Sequence, residues 1–311
     1  MTDPAGLADA ADRLGTLARR DAPLGALTTY RVGGPAALLV TVSDELVLRA
    51  VVDAVVVTGI DVLVVGKGSN LLVADAGFPG LAVVLGDAFA AVEVTGTAVE
   101  AGAAASLPVV ARRSVAAGLR GFEWAVGVPG SIGGAVRMNA GGHGSDMAAV
   151  LVGVRVADLR TGEDGWVAAT DLHLGYRTSN VAPHQLVLGA RLALSLGDVE
   201  RGTAELAEIV AWRRAHQPGG ANAGSVFTNP PGDSAGHLIE AAGAKGLRRG
   251  TAAVSTKHAN FIQTDDGGRA ADVLALMRDV QALVAATAGV DLIPETRLVG
   301  FDPNPRPDIE G

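Results

Sequence analysis

Ser225 lies in the stretch NAGSVFTNP (222–230), between Gly224 and Val226, with no histidine beside it to act as a base. The setting is not the G-x-S-x-G turn that exposes a hydrolase nucleophile. A lone serine in a loop is ordinarily a turn or cap residue, so the stretch leaves open what chemistry a serine without a base could serve. Two further polar positions raise similar questions. LGYRTSN (174–180) sets Tyr176 and Arg177 between two strand-like runs. Arg177 reads either as a surface arginine or as a guanidinium that clamps a carboxylate or a developing oxyanion. Glu295 follows Pro294 in LIPETRLVG, where it could also pair with Arg297. The six histidines are scattered without H-E-x-x-H or any ligand spacing, and no metal site is expected.

Glycine-rich turns supply the other chemistry. VVGKGSNLLV (64–73) puts Gly66 and Gly68 directly after an apolar run, where glycine permits positive φ and close backbone approach to an anion. It is not a Walker A loop, because Gly68 rather than Ser or Thr follows Lys67. It is a poor Rossmann fingerprint too, since a third glycine is missing and the next segment is strand-like. A plain tight turn is the competing reading. The second passage, GFEWAVGVPGSIGGAVRMNAGGHG (121–144), crowds in Gly127, Gly130, Gly133, Gly134, Gly141, Gly142 and Gly144, with Pro129, Ser131 and Asn139 among them. A flexible linker would be polar throughout. This passage interleaves Val126, Val128, Ile132, Val136 and Met138, which predicts a loop packed against a large ligand. Two such loops suit a ligand with a diphosphate at one end and a flat ring at the other, such as a flavin dinucleotide.

The elements that must position these residues can be read from the rest of the 311-residue chain. That length suggests two or three domains. Helices are predicted over 44–58, 107–119, 203–217, 234–244 and 269–289. Strands are predicted over 61–66, 81–86, 150–159, 184–196, 252–263 and 290–301, with a hairpin at 91–103 around Thr95-Gly96. The proline-rich tail, DPNPRPDIEG, reads as loose. A net charge of −8 and 4% aromatics argue against nucleic acid. The absence of cysteine excludes disulfides, thiolate metal sites and cysteine nucleophiles. The first residues do not form a secretory signal, and apolar runs are broken by charges well short of a membrane span, so a cytoplasmic protein without membrane insertion is expected.

Eight stretches in order carry a resemblance: TTYRVGGPA (28–36), GKGSNLLVADAGFPG (66–80), GVPGSIGGAVRMNAGG (127–142), GYRTS (175–179), AGSVFTNP (223–230), AGHLIEAAGAKG (235–246), VSTKHANFI (254–262) and PETRLVG (294–300). Together they resemble the UDP-N-acetylenolpyruvoylglucosamine reductase family of bacterial cell-wall synthesis. The resemblance implies an α+β fold: a FAD-binding region of two subdomains, of the PCMH type shared with vanillyl-alcohol oxidases, and a third α+β domain that covers the substrate. The implied division is 1–86 for the first FAD-binding subdomain, to which 295–311 would return, 87–200 for the second, and 201–294 for the substrate domain.

The resemblance also implies the chemistry. NADPH reduces FAD, and hydride then passes to the vinyl carbon of the enolpyruvyl ether of UDP-N-acetylglucosamine. The neighbouring carbon gains a proton to give the lactyl ether. Ser225 matches the proton donor, which needs no base because it gives a proton to a strongly basic intermediate. Arg177 would hold the substrate carboxylate and Glu295 would polarise or position it. FAD is expected, without covalent attachment, at Gly66, Lys67, Gly68, Ser69, Asn70, Leu71, Gly127, Pro129, Gly130, Ser131, Gly134 and Asn139. Substrate is expected at Tyr176, Arg177, Arg214 and Asn229, with the diphosphate taken by Arg213, Arg214 or His216 of WRRAHQP.

The chain departs from the pattern at Thr228, where lysine is usual, and at His143, where tyrosine is frequent. It has no tyrosine after Tyr176, so it resembles the subtype without the tyrosine-bearing loop. Two other readings compete: another flavin oxidase of this fold acting on a sugar or alcohol, and a flavin- or UDP-sugar-binding protein without catalysis.

Overall fold

Local sequence sets the helix ends. In the computed structural model, which describes residues 4–301, the helices are α1 (Pro4–Leu14), α2 (Glu45–Thr58), α3 (Leu107–Ala116), α4 (Ile132–Met138), α5 (Val199–His216), α6 (Ala235–Ala241) and α7 (Ala270–Ala288). The Asp44 carboxylate accepts the N–H groups of Leu46 and Val47 at the start of α2, and Gly59 closes it at φ 63°. Asp198 likewise accepts the Arg201 N–H at the start of α5, and Gly289 closes α7 at φ 68°. Apolar residues recur along one face of α2, burying Leu48, Val51, Ala54 and Val55.

The strands form one four-stranded sheet in the order Ala18–Ala22, Ala36–Val42, Phe78–Leu85, Val62–Val65, the last two parallel. A five-stranded antiparallel sheet runs Asp164–Ala168, Leu151–Asp158, Gln185–Ala193, Ala98–Gly102, Val92–Thr95. Arg248–Arg249, Ala252–Val254 and Ile262–Thr264 make a small antiparallel sheet. Leu71–Val73 pairs in parallel with Arg297–Val299.

The chain divides into two units. The first comprises Met1–Arg20, Leu38–Gly68 and Gly80–Gln217; the second comprises Asp21–Ala37, Ser69–Pro79 and Pro218–Gly311. The first contains two apolar cores. One gathers Leu38, Val40, Val51, Leu81, Val83 and Leu188. The other gathers Val99, Val110, Leu119, Trp124, Ile132, Val154, Leu192, Leu206 and Ile209. Through Leu206 and Ile209, α5 belongs to this second core. The second unit closes over Tyr30, Leu72, Val226, Phe227, Ile239, Leu276 and Val280.

Three expectations need correction. The passage 121–144 is not loop throughout. It holds a short 3-10 turn at Glu123–Gly127 and the helix α4. Glycine at 133 and 134 disfavours a helix by propensity, but Ile132 and Gly133 donate their N–H groups to Ala105 O (3.0 Å) and Ala103 O (2.9 Å). Those bonds satisfy donors that a helix start leaves open.

The run 252–263 is a hairpin rather than one strand. Ser255 Oγ accepts the N–H groups of Lys257 (3.1 Å) and His258 (3.4 Å), and Ser255 N donates to Phe261 O (2.8 Å), which folds the middle back on itself. In 290–301 only Arg297–Val299 is a strand. Pro294 has no N–H for a ladder, and the residues around it bond instead to 226–228, with an isolated bridge between Phe227 and Pro294. The proline-rich tail lies outside the described residues, as does most of 295–311.

Candidate active site

In the first unit, the strand Val62–Val65 ends at Gly66, and Gly68 turns at φ 61°. A Cβ added to Gly66 would lie 2.8 Å from Ser131 Oγ. The two glycine-rich stretches are therefore neighbours, though far apart in sequence. Ser131 is buried and bridges to Ser106, while Gly130 O accepts the Leu107 N–H at 3.1 Å. Gly134 is exposed, with the Ser131 hydroxyl 3.7 Å from its would-be Cβ; Lys67 and Pro129 are also exposed. These features fit a dinucleotide cofactor. At Gly66 any side chain would crowd Ser131, and at Gly68 a left-handed backbone favours glycine. Gly127 has a different reason for being glycine: its Cβ would meet Ile209 Cγ2 at 2.9 Å and Arg213 Cδ at 3.3 Å, so α5 packs against it.

Arg177 sits in a tight two-residue turn. Gly175 and Thr178 exchange both backbone hydrogen bonds, at 3.1 and 3.2 Å, and Arg177 takes φ 57°. A side chain in that region is uncommon and clusters at functional sites. The Arg177 Nη2 donates to Gly141 O at 3.1 Å, and its guanidinium lies 5.2 Å from the centroid of the exposed Tyr176 ring. Asn139 holds this turn in place. Its Nδ2 donates to Gly175 O (2.9 Å) and Asp146 Oδ2 (3.2 Å), and its Oδ1 accepts the Ala148 N–H (2.9 Å). Asn139 is buried and occupied by protein partners, so it braces the loops around the proposed cofactor turns.

At the C-terminal end of α5, Trp212 meets His143 edge-on (5.1 Å) and stacks on His216 (4.6 Å). Arg213 Nε donates to Gln217 Oε1 at 2.6 Å, and burial holds its guanidinium below the usual arginine range. Arg214 is exposed.

In the second unit, Ser225 is half-buried and follows Gly224, whose φ is 75°. Val226 O accepts the N–H groups of Glu295 (2.8 Å) and Thr296 (3.3 Å), and Thr228 N donates to Ile293 O at 2.9 Å. Ser225 and Glu295, distant in sequence, are thus carried on adjoining backbone stretches. Asn70 fixes the second stretch: its Nδ2 donates to Glu295 O at 3.0 Å and its carbonyl accepts the Arg297 N–H at 2.9 Å. Leu71 opens the strand paired with Arg297, and Ser69 precedes Asn70 in the turn. Asn229 Oδ1 accepts the Ala235 N–H at 3.0 Å, tying it to the start of α6.

The structure brings Gly66 close to Ser131, ties Arg177 to Gly141 and its turn to Asn139, and bonds the backbone beside Ser225, at Val226, to Glu295, which Asn70 holds in turn. Arg177 belongs to the first unit, and Ser225 and Glu295 to the second. Asn260, whose side-chain amide bonds both backbone groups of Phe227, carries no sequence mark beyond its place in the stretch VSTKHANFI, since nothing local reveals a partner at Phe227.

The profile of the UDP-N-acetylenolpyruvoylglucosamine reductase C-terminal domain matches residues 216–299, and that of the FAD binding domain matches 36–164. The chain is 43% identical over 284 residues to a UDP-N-acetylenolpyruvoylglucosamine reductase of Heliobacterium modesticaldum, covering 89% of each. It is 40% identical to that of Rubrobacter xylanophilus, covering 93% of this chain and 97% of the relative. The crystal structure of the Thermus caldophilus reductase superposes with a TM-score of 0.80 at 37% identity, covering 91% of this chain and 99% of that one. Similarity of that depth across both units makes the chain a member of the UDP-N-acetylenolpyruvoylglucosamine reductase family, FAD-dependent oxidoreductases of peptidoglycan precursor synthesis.

Proposed function

We propose that this chain reduces UDP-N-acetylglucosamine enolpyruvate to UDP-N-acetylmuramate with NADPH, and that Ser225, Glu295 and Arg177 perform the work at the substrate. The observation that supports the assignment of roles is the bond from Glu295 N–H to Val226 O, which runs the stretches carrying Ser225 and Glu295 alongside each other. Gly66, Gly68 and the 127–134 passage would hold FAD, which would supply the hydride-transfer chemistry between NADPH and the enolpyruvyl substrate.

The Ser225 hydroxyl gives its proton to the adjacent carbon. A hydroxyl is a weak acid, but a carbanion or enol is a far stronger base, so fixed geometry suffices. Arg177 holds the carboxylate and offsets charge developing on it; its strained turn fixes where the guanidinium starts. Glu295 orients the carboxyl group. Arg213 suits the diphosphate better than Arg214. Its guanidinium is partly desolvated beside Gly127 and bonded to a neutral amide, which strengthens its pull on an anion.

α5 begins at Val199, capped by Asp198, and only Gly197 and Asp198 separate it from the strand Ser195–Leu196, which supports the subtype without an inserted tyrosine loop. Three separate apolar cores support a division into two FAD-binding subdomains and a substrate domain. No helix among the described residues is long and apolar enough to cross a membrane, and cytoplasmic work on soluble substrates is the reading we adopt.

Stopped-flow absorbance separates the two half-reactions. Ser225→Ala should leave flavin reduction by NADPH near wild type and slow reoxidation by the enolpyruvyl substrate by roughly 10²–10⁴-fold. Equal slowing of both, or of neither, returns Ser225 to the role of a turn residue.

A further inference from the structure

We infer that Asn260 is the positioning residue for Ser225. The inference rests on the reading of Ser225 as proton donor. Asn260 is 3% exposed, and all its polar groups on that side serve two residues. Its Oδ1 accepts the Phe227 N–H at 3.0 Å, its Nδ2 donates to Phe227 O at 2.8 Å, and its own carbonyl accepts the Val226 N–H at 2.9 Å. A side-chain amide thus takes both backbone groups of Phe227, as a neighbouring strand would. Val226 O is occupied by the 295–296 backbone. Residues 226–227 are therefore gripped on both sides, and Ser225 is the next residue upstream.

The upstream side is anchored as well. Asn222 Oδ1 accepts the Gly224 N–H at 3.0 Å, and its Nδ2 donates to Gly219 O and Gly220 O at 3.2 and 3.1 Å. Ser225 lies between two asparagine anchors, of which the buried one is the stiffer. The loop that presents Asn260 is itself closed. Ser255 bonds to Phe261, Lys257 and His258, and Asn260 N donates to His258 Nδ1 at 3.2 Å. From the other side, the backbone of α6 at Gly236 packs so near that an added Cβ would lie 3.1 Å from His258 Cε1. The loop that carries the clamp is therefore backed by α6. A proton donor displaced by about 1 Å loses on the order of 10²-fold in rate.

Asn260→Asp keeps the acceptor for Phe227 N–H and replaces the donor to Phe227 O by an oxygen. With reoxidation by the enolpyruvyl substrate followed by stopped flow, it should slow that half-reaction by about 10- to 100-fold, leaving reduction by NADPH and substrate Kd within about threefold. In a Ser225→Ala background the same change should add less than about threefold, because its effect runs through Ser225. Hydrogen exchange should rise in the peptide covering 223–228 and not in the sheet of 252–254 and 262–264. Asn260→Ser serves as the second variant where the aspartate does not fold. Undiminished reoxidation, full additivity with Ser225→Ala, or loss of fold in both variants overturns the inference. An inert Ser225→Ala alone identifies the proton-donor reading as the failure, and the inference falls with it.

Discussion

At Gly66 the first unit leaves a hydrogen where a Cβ would lie 2.8 Å from Ser131 Oγ; at Phe227 the second unit fills both backbone valences with the Asn260 amide. The proposed cofactor turns are shaped by side chains withheld, and the Ser225 strip by side chains supplied. A cofactor of fixed shape needs room and close backbone approach. A single proton donor needs its position held against thermal drift, and a buried, doubly bonded amide does that at the cost of ordering one residue. The difference teaches that tolerance should be opposite in the two regions: the first should fail on gaining atoms, the second on losing them.

The second unit provides its own counterexample and the largest expected effect. Gly77 has φ 84°, and its Cβ would lie 1.9 Å from Pro35 O. Gly77→Ala should cost more than about 3 kcal/mol, and chemical denaturation should show early loss of the second unit. Next is Gly66→Val. Overpacking of about 1–3 kcal/mol should weaken flavin retention by about 10- to 100-fold, read by flavin absorbance after gel filtration, with the circular dichroism of the protein unchanged. Full occupancy would move the cofactor away from Gly66.

Arg177→Gly tests the converse. Relief of a left-handed backbone and loss of the bond to Gly141 O nearly offset, so stability should change by no more than about 1 kcal/mol while turnover collapses. A large stability loss would make Arg177 a framework residue.

The smallest effect is at Tyr30. Its phenol is fully buried with only the Ala223 backbone near it, too poorly placed for a good hydrogen bond, and burial pushes its pKa well above the ordinary value, partly countered by that backbone group. Tyr30→Phe should leave stability unchanged or raise it by up to about 1 kcal/mol. Because the folded-state pKa is raised, the contribution of the neutral phenol is complete below the unfolded value of about 10 and is lost as pH rises from there toward the folded value. Melts above pH 10 should therefore fall more steeply for the wild type than for Tyr30→Phe.

Much of this was legible in sequence because it is local. Asp44 and Gly59 mark the ends of α2, and the 91–103 hairpin turns at Thr95-Gly96 with strands Val92–Thr95 and Ala98–Gly102. Ser225, Arg177 and Glu295 are marked by ordered motifs rather than by periodicity, and their roles stand as proposed. What stayed hidden depends on distant partners. α4 exists because Ala103 and Ala105 accept its first N–H groups, despite two glycines that read as loop. The strand expected at 290–301 fails because Pro294 cannot donate and residues 226–228 take up its neighbours. Asn260 carries no local mark at all, since its meaning lies in the backbone of Phe227.

The second unit is assembled from 21–37, 69–79 and 218 onward, so its core unites Tyr30, Val32 and Leu72 with residues such as Ile239, Leu276 and Val280. During synthesis the ribosome delivers the early pieces long before their partners. At roughly 5–20 residues per second, Tyr30, Val32 and Leu72 wait about 7 to 40 seconds as uncovered apolar surface while the whole run to residue 217 emerges. Long sequence separation slows folding and prolongs exposure to aggregation. Nascent chains arrested before α7 should therefore engage chaperones through these early segments, and release should coincide with emergence of the last third of the chain.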